Sequence, residues 1–132
     1  TYSLAGKFGK EQATQMALGW ALACYQFNRY KKNGKPKPQL VAPATCDMNY
    51  VTSMYESICW ARDMINTPAN DMNPAALAAE AADWAKKSGA QVKVIKGETL
   101  LEENYPTIYT VGKASSVPPH LVDIRFPRKG AR

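Results

Sequence analysis

Histidine is almost missing from this chain of 132 residues, which has one, His120. Its three cysteines, Cys24, Cys46 and Cys59, contain no CxxC pair, so a thiolate or imidazole zinc site lacks its usual ligands. An odd, sparse set of cysteines with no N-x-S/T acceptor points to reduced thiols in a cytoplasm-like compartment. Cys24 and Cys59 fall in apolar helical patterns and read as buried core thiols, not nucleophiles. Long apolar runs are missing too. The longest, Met16 to Tyr25, is about ten residues and contains Gly19, against the ~20 that a membrane-spanning helix needs. No secretory signal opens the chain. It starts at Thr1 and stops at Arg132 just after a strand-like run, and both ends read as cut from something longer.

What is present is ordinary for a folded protein. The chain is 45% hydrophobic and 21% charged, which argues against disorder. Its length suits about one domain, able to bury roughly two-thirds of its unfolded surface. The net charge of +6 is concentrated. Arg29 to Lys37 and Arg125 to Arg132 are basic windows without an acid, and outside them acids outnumber bases. Clustered Lys and Arg near Phe27 and Tyr30 fit a nucleic-acid surface. No RNA- or DNA-binding motif accompanies them. The Asn-Gly and Pro spacing of Lys31 to Pro38 is that of a solvated connection.

Glu11 to Tyr30 reads as a helix apolar on nearly every side around Met16, Trp20, Cys24 and Phe27, which implies enclosure by other elements. Gln39 to Ala42 is a short strand stopped by Pro43. A second helix follows a cap at Asp47 or Asn49. Its stripe of Val51, Met54, Tyr55, Ile58 and Ile65 is expected to be buried. It must end near Asn66, because Thr67 precedes Pro68 and is pushed from the α region. Asn73 as N-cap, Pro74 at the first helical position and Gly89 just past the end bound a third helix. Its expected core face is Leu77, Ala81, Trp84 and Ala85, with Trp84 packing on a sheet. Gln91 to Lys96 alternates as a strand with Val92 and Val94 on one face, and Glu98 to Asn104 is a short helix. Thr107 to Val111 and Leu121 to Phe126 are two further expected strands. The fold class is α/β, a mixed sheet flanked by helices.

Catalytic patterns are few. Gly112-Lys113 has the end of a phosphate loop, but Thr107 stands at the first glycine's position and Ala114 at the hydroxyl ligand's. His120 follows Pro118-Pro119 with no obvious Ser or Cys partner, so it reads as a surface or packing residue. Asp63 with Asp71, or Glu102 with Glu103, can be imagined as a carboxylate metal pair. Adjacent helical residues point about 100° apart, so the glutamates converge poorly. The densest pattern is Ala61 to Pro74, a helix end, a polar turn and a helix start. Asn66 suits a left-handed cap there, and Asn70 and Asp71 suit free backbone groups.

That pattern also carries a resemblance. Ala61-Arg62-Asp63, Ile65-Asn66-Thr67-Pro68-Ala69-Asn70 and Pro74 closely resemble the leucyl (cytosol) aminopeptidase family. Phe8-Gly9-Lys10-Glu11-Gln12-Ala13, Tyr25-Gln26-Phe27-Asn28-Arg29-Tyr30-Lys31, Asn104-Tyr105-Pro106, Val111-Gly112-Lys113-Ala114-Ser115 and Pro119-His120-Leu121-Val122-Asp123-Ile124 follow in the right order. The resemblance implies part of a larger two-domain peptidase of the cytoplasm, a homo-hexamer that removes N-terminal amino acids from peptides. Two divalent ions (Mn, Zn or Mg) are implied for that enzyme, where they activate a water and polarise the scissile carbonyl. The family's metal-binding and catalytic motifs lie C-terminal to the matching region. No catalytic, cofactor-binding or metal residue is therefore assigned here, and Arg62, Asp63 and Asn66 to Asn70 transfer only as scaffold. The expected partition is residues 1–49 as the end of an N-terminal region, 50–72 as a linking helix and turn, and 73–132 as the first part of a catalytic domain. Its partners would be the remainder of that domain and peptide substrates. A membrane partner is not expected, and a non-catalytic assembly domain is the other reading of the same framework.

Overall fold

The computed structural model describes residues 1–31, 34 and 36–127. The expected loop at Lys32, Asn33 and Lys35, and the second basic window from Arg128 onward, lie outside the described residues. The chain divides into two compact units, Thr1–Thr67 and Pro68–Arg132.

In the first unit, β1 (Tyr2–Ser3) pairs in parallel with β2 (Leu40–Val41), Tyr2 opposite Leu40. Between them runs α1 (Lys10–Ala23), and α2 (Met48–Asn66) follows β2. Lys10 and Thr14 meet Asp47 at one end of the helix pair, and Leu22 and Tyr25 meet Arg62 and Asp63 at the other. The helices therefore run in the same direction. At 1.5 Å per residue, the connection after α1 must return about 20 Å before α2 starts. That return is what the long basic, proline-containing segment provides.

The core of this unit is Ala17, Leu18 and Val51, with Leu22, Leu40, Met54 and Tyr55 packed against it. The expected all-round apolar helix is corrected in two ways. First, α1 stops at Ala23, and Cys24 closes it with backbone bonds to Trp20 and Ala21, so Tyr25 to Tyr30 are not helical. Second, its buried face is Ala13, Thr14, Ala17 and Leu18, while Met16 is exposed. Small side chains let α2 approach closely, and the bulkier Met16 falls on the other side. On α2, Val51 is buried and Met54, Tyr55 and Ile58 are half-buried, but Ile65 is 81% exposed. Its turn lies beyond the end of α1. Cys24, Cys46 and Cys59 are all free and half-buried, which corrects the expectation of fully buried thiols.

Asp47 starts α2 as expected. Its Oδ1 accepts from the Tyr50 amide at 3.1 Å and its Oδ2 meets Lys10 Nζ at 3.0 Å. The Lys10 hydrogen bond first, and then the Tyr50 amide, hold the Asp47 carboxyl below the usual carboxylate range. A lowered folded value means stability that is complete above the unfolded pKa of ~3.9 and is lost as pH falls through the lowered value. The arginine beside Asp123 depresses that carboxyl in the same sense. Asp47→Asn should therefore narrow the gap between urea midpoints measured at pH 7 and pH 3.

In the second unit, α3 (Pro74–Lys87) leads to β3 (Gln91–Lys96), two short helices, α4 (Thr99–Glu102) and α5 (Pro106–Gly112), and β4 (His120–Arg125). The strands are antiparallel, with Gln91 opposite Arg125 and Lys96 opposite His120. Pleat alternation then puts Val92, Val94, Val122 and Ile124 on one face and Lys93, Ile95, Leu121 and Asp123 on the other. The start of α3 is as expected: Asn73 Oδ1 accepts from the Ala76 amide at 3.0 Å, with Pro74 in the first turn. Its end is a Schellman motif. Gly89 at φ +76° donates to Lys86 and Ala90 donates to Ala85. The same motif ends α4, with Asn104 at φ +62° donating to Leu101 and Tyr105 donating to Leu100.

Two expectations for this unit fail, the core stripe of α3 and the strand at Thr107 to Val111. The buried face of α3 is Ala78, Ala82 and Ala85, and Leu77 is exposed. Alanines give the closest approach to a sheet, which rotates the helix about one residue from the expected stripe. Trp84 is half-buried and makes an edge contact with Phe126, centroids 6.1 Å apart. Among the strand valines, Val94 is exposed, and Ile95 is the buried residue of β3. Thr107 to Val111 is not a strand but most of α5. Its β-branched residues favour a sheet, yet Pro106 sets the first helical turn and only Ile108 and Tyr109 are half-buried. Gly112 ends that helix against buried Pro119. A Cβ there would lie 2.5 Å from Pro119 Cβ, too close for any other residue. The mixed α/β class stands, as one small parallel and one small antiparallel sheet with helices around them.

Candidate functional site

The residues of the Ala61–Pro74 pattern meet partners from far upstream. The Tyr25 hydroxyl donates to Asp63 Oδ1 at 2.6 Å and accepts from Asn66 Nδ2 at 3.1 Å. The Arg62 guanidinium lies 5.3 Å from the Tyr25 ring centroid and donates to the Leu22 carbonyl at 3.3 Å. Arg29 Nη1 donates to Thr67 Oγ1 at 3.3 Å, and Thr67 Oγ1 donates to the Asp63 carbonyl at 2.6 Å. Desolvation, and then donation to the Asp63 carboxylate, push the Tyr25 hydroxyl above its ordinary value. Burial and hydrogen bonding are thus spent on fixing the helix end. Thr67 is buried and extended at φ −78°, ψ 123°, as a residue before proline should be. Asn66 is still helical and does not take the expected left-handed cap; its side chain turns to Tyr25. Past this point Asp71 and Met72 both donate to the Pro68 carbonyl, closing the turn.

Asp63 accepts from a tyrosine, and Glu103 takes Lys93 Nζ at 2.7 Å and 2.8 Å. Among the described residues, no group of three or more His, Cys, Asp and Glu is placed to hold a metal ion. The two ions implied by the resemblance do not fit the side chains of the described residues. His120 is half-buried with Nδ1 2.8 Å from the Pro118 carbonyl, a packing contact. In the basic windows, Arg29 is engaged by Thr67 and Arg125 by Asp123 at 2.6 Å, and Phe27 and Tyr30 meet each other edge-on at 5.8 Å.

Three clefts are lined by described residues. One of about 250 Å³ lies among Trp20, Cys24, Leu40, Met48, Val51 and Tyr55. The buried Trp20 Nε1 beside it has no hydrogen-bond acceptor among the described residues. A second, about 380 Å³, lies over Lys93, Asp123 and Arg125 of the second unit's sheet. A third, about 530 Å³, lies among Leu4, Phe8, Val41 and Pro43.

Residues 59–132 match the model of the cytosol aminopeptidase family catalytic domain. The chain belongs to the cytosol aminopeptidase family. Residues 1–43 match the N-terminal domain of the M17 aminopeptidases. A probable cytosol aminopeptidase of Streptomyces avermitilis is 31% identical over 129 residues, with 86% of this chain and 25% of that protein covered. The crystal structure of a cytosol aminopeptidase from Coxiella burnetii matches with a TM-score of 0.81 and 38% identity, over 89% of this chain and 25% of the other. The bottromycin maturation enzyme BotP in complex with Mn matches at 26% identity with a TM-score of 0.74, over 89% of this chain and 26% of that one. The chain thus spans about a quarter of the relatives' length. No helix among the described residues is long and apolar enough to cross a membrane.

Tyr25 and Arg29 are the partners that the sequence reading missed. They stand 38 positions from Asp63 and Thr67, beyond any local spacing rule. The one signal was that both lie in the Tyr25 to Lys31 stretch that resembles the family.

Proposed function

We propose that this chain is framework for a metal-dependent aminopeptidase that releases N-terminal residues from peptides. It supplies strands, covering helices and the linking helix, while the ion-holding and catalytic side chains come from other parts of the enzyme. The observation that carries this reading is the pairing of an N-terminal-domain match with a catalytic-domain match in a chain spanning a quarter of its relatives. Residues 1–49 then serve as the end of the N-terminal region, 50–72 as the link and 73–132 as the start of the catalytic domain. The parent enzyme is a cytoplasmic homo-hexamer using two divalent ions of Mn, Zn or Mg. The names of the cytosol relatives and the manganese complex of BotP support the compartment and the metal class.

The test uses leucine p-nitroanilide with Mn²⁺ or Zn²⁺. The 132-residue chain should show no turnover and no stoichiometric metal uptake. A polypeptide extended to the relatives' length should turn over and lose activity to a chelator. Chelator-sensitive turnover by the pure 132-residue chain would overturn the framework reading.

A further inference from the structure

The two family matches and the two compact units divide the chain at different places. The catalytic-domain match begins at residue 59, yet the first compact unit extends to Thr67. Residues 59–67 therefore match one domain and fold with the other.

What holds the last turn of that stretch, Arg62 to Thr67, is narrow. The last turn of α2 has no basic residue to meet its free carbonyls, and its end is set by Pro68, not by a glycine cap. Asp63, Ile65 and Asn66 are exposed, Arg62 and Met64 are half-buried, and Thr67 is buried. Met64 is thus the one apolar side chain of this turn that is partly covered, and with so little packing the turn would fray by itself. Arg62 of the turn holds the Leu22 carbonyl of α1, and the upstream side chains that grip the turn come from the stretch just after α1. Tyr25 takes Asp63 and Asn66, and Arg29 takes Thr67.

We propose that Tyr25 and Arg29 form a latch that keeps the Arg62–Thr67 turn helical and so sets the joint between the two compact units at Thr67–Pro68. With the latch broken, α2 unwinds from its C-terminal end and the joint moves upstream toward Arg62. The latch is built from contacts inside this chain and does not depend on the peptidase reading.

Residue-resolved hydrogen exchange on the 132-residue chain tests it, with Tyr25→Phe, Arg29→Ala, Asp63→Ala and the Tyr25→Phe/Asp63→Ala double variant. Tyr25→Phe keeps the ring beneath Arg62 and removes only the hydroxyl, so folding is preserved. Loss of a hydrogen bond of ordinary strength should speed exchange at Ile65 to Thr67 by about tenfold. Amides from Val51 to Tyr55 should stay within about twofold of the parent chain. Arg29→Ala should act on the same amides, and the double variant should exceed neither single variant appreciably. Unchanged protection at Ile65 to Thr67 would overturn the latch. So would a loss spread evenly along α2, or additive effects in the double variant.

Discussion

Leu100→Ala is expected to cost about 2–5 kcal/mol, the range for emptying a well-packed leucine site. Leu100 is the largest fully buried side chain among the described residues, at 0% exposure. It sits in α4, with its amide on the Gly97 carbonyl at 3.1 Å and its carbonyl taking the Tyr105 amide at 2.6 Å. The other buried apolar residues described in that unit are Ala78, Ala82, Ala85, Ile95 and Pro119, mostly alanines that cannot swell to fill a void. A unit of about 65 residues has a total stability of roughly 3–10 kcal/mol, so the deletion removes a large part of it. Trp84, the tryptophan of this unit, reports the change. Its emission in urea should shift to a much lower midpoint, whereas Leu101→Ala on the exposed neighbour should move it by less than about 0.5 kcal/mol. Equal effects at the two positions would show that Leu100 is not the centre of this core.

How much of this was readable in the sequence depended on how local the signal was. The starts of α2 and α3 and the end of α3 were legible, because Asp47, Asn73, Pro74 and Gly89 act on backbone groups within a few residues of themselves. The strands at Gln91 and Leu121 were legible from alternation, and their pairing follows from the observed register. The run from Thr107 to Val111 was misread. β-propensity measures fit to a half-buried pleated surface, and here no sheet edge receives the run. Helix faces were misjudged wherever alanine competes with a larger residue. Size suggested Leu77 and Met16 for the core, but close approach selected Ala78 and Ala17. In the family motif, the residue types of a helix end and turn were legible. The grip of Tyr25 and Arg29 was not, since it joins residues 38 apart.

Val51→Asp should destabilise the first unit by roughly 3–5 kcal/mol, because it puts a carboxylate among buried apolar side chains, with the exposed Lys37 the basic residue lining the same cleft. Val51 is 4% exposed and its buried neighbours are Ala17 and Leu18, which offer no hydrogen-bond donor from their side chains. The sharper contrast is with Ile65, on the same helix but 81% exposed. In the 132-residue chain Ile65→Asp should lie within about 0.5 kcal/mol of neutral. The proposed framework role predicts a different result in a polypeptide of the relatives' length. There Ile65, and Val111 at 84% exposure in the other unit, become surfaces for the rest of the enzyme. Burying such a side chain contributes about 1.5–3 kcal/mol, so aspartate at either position should cost at least that much in the longer protein. Denaturant midpoints of the short and long polypeptides, each with and without Ile65→Asp and Val111→Asp, measure the difference directly. A substitution equally silent in both would mean that these faces meet only water, and the case for this chain as framework would lose its energetic basis.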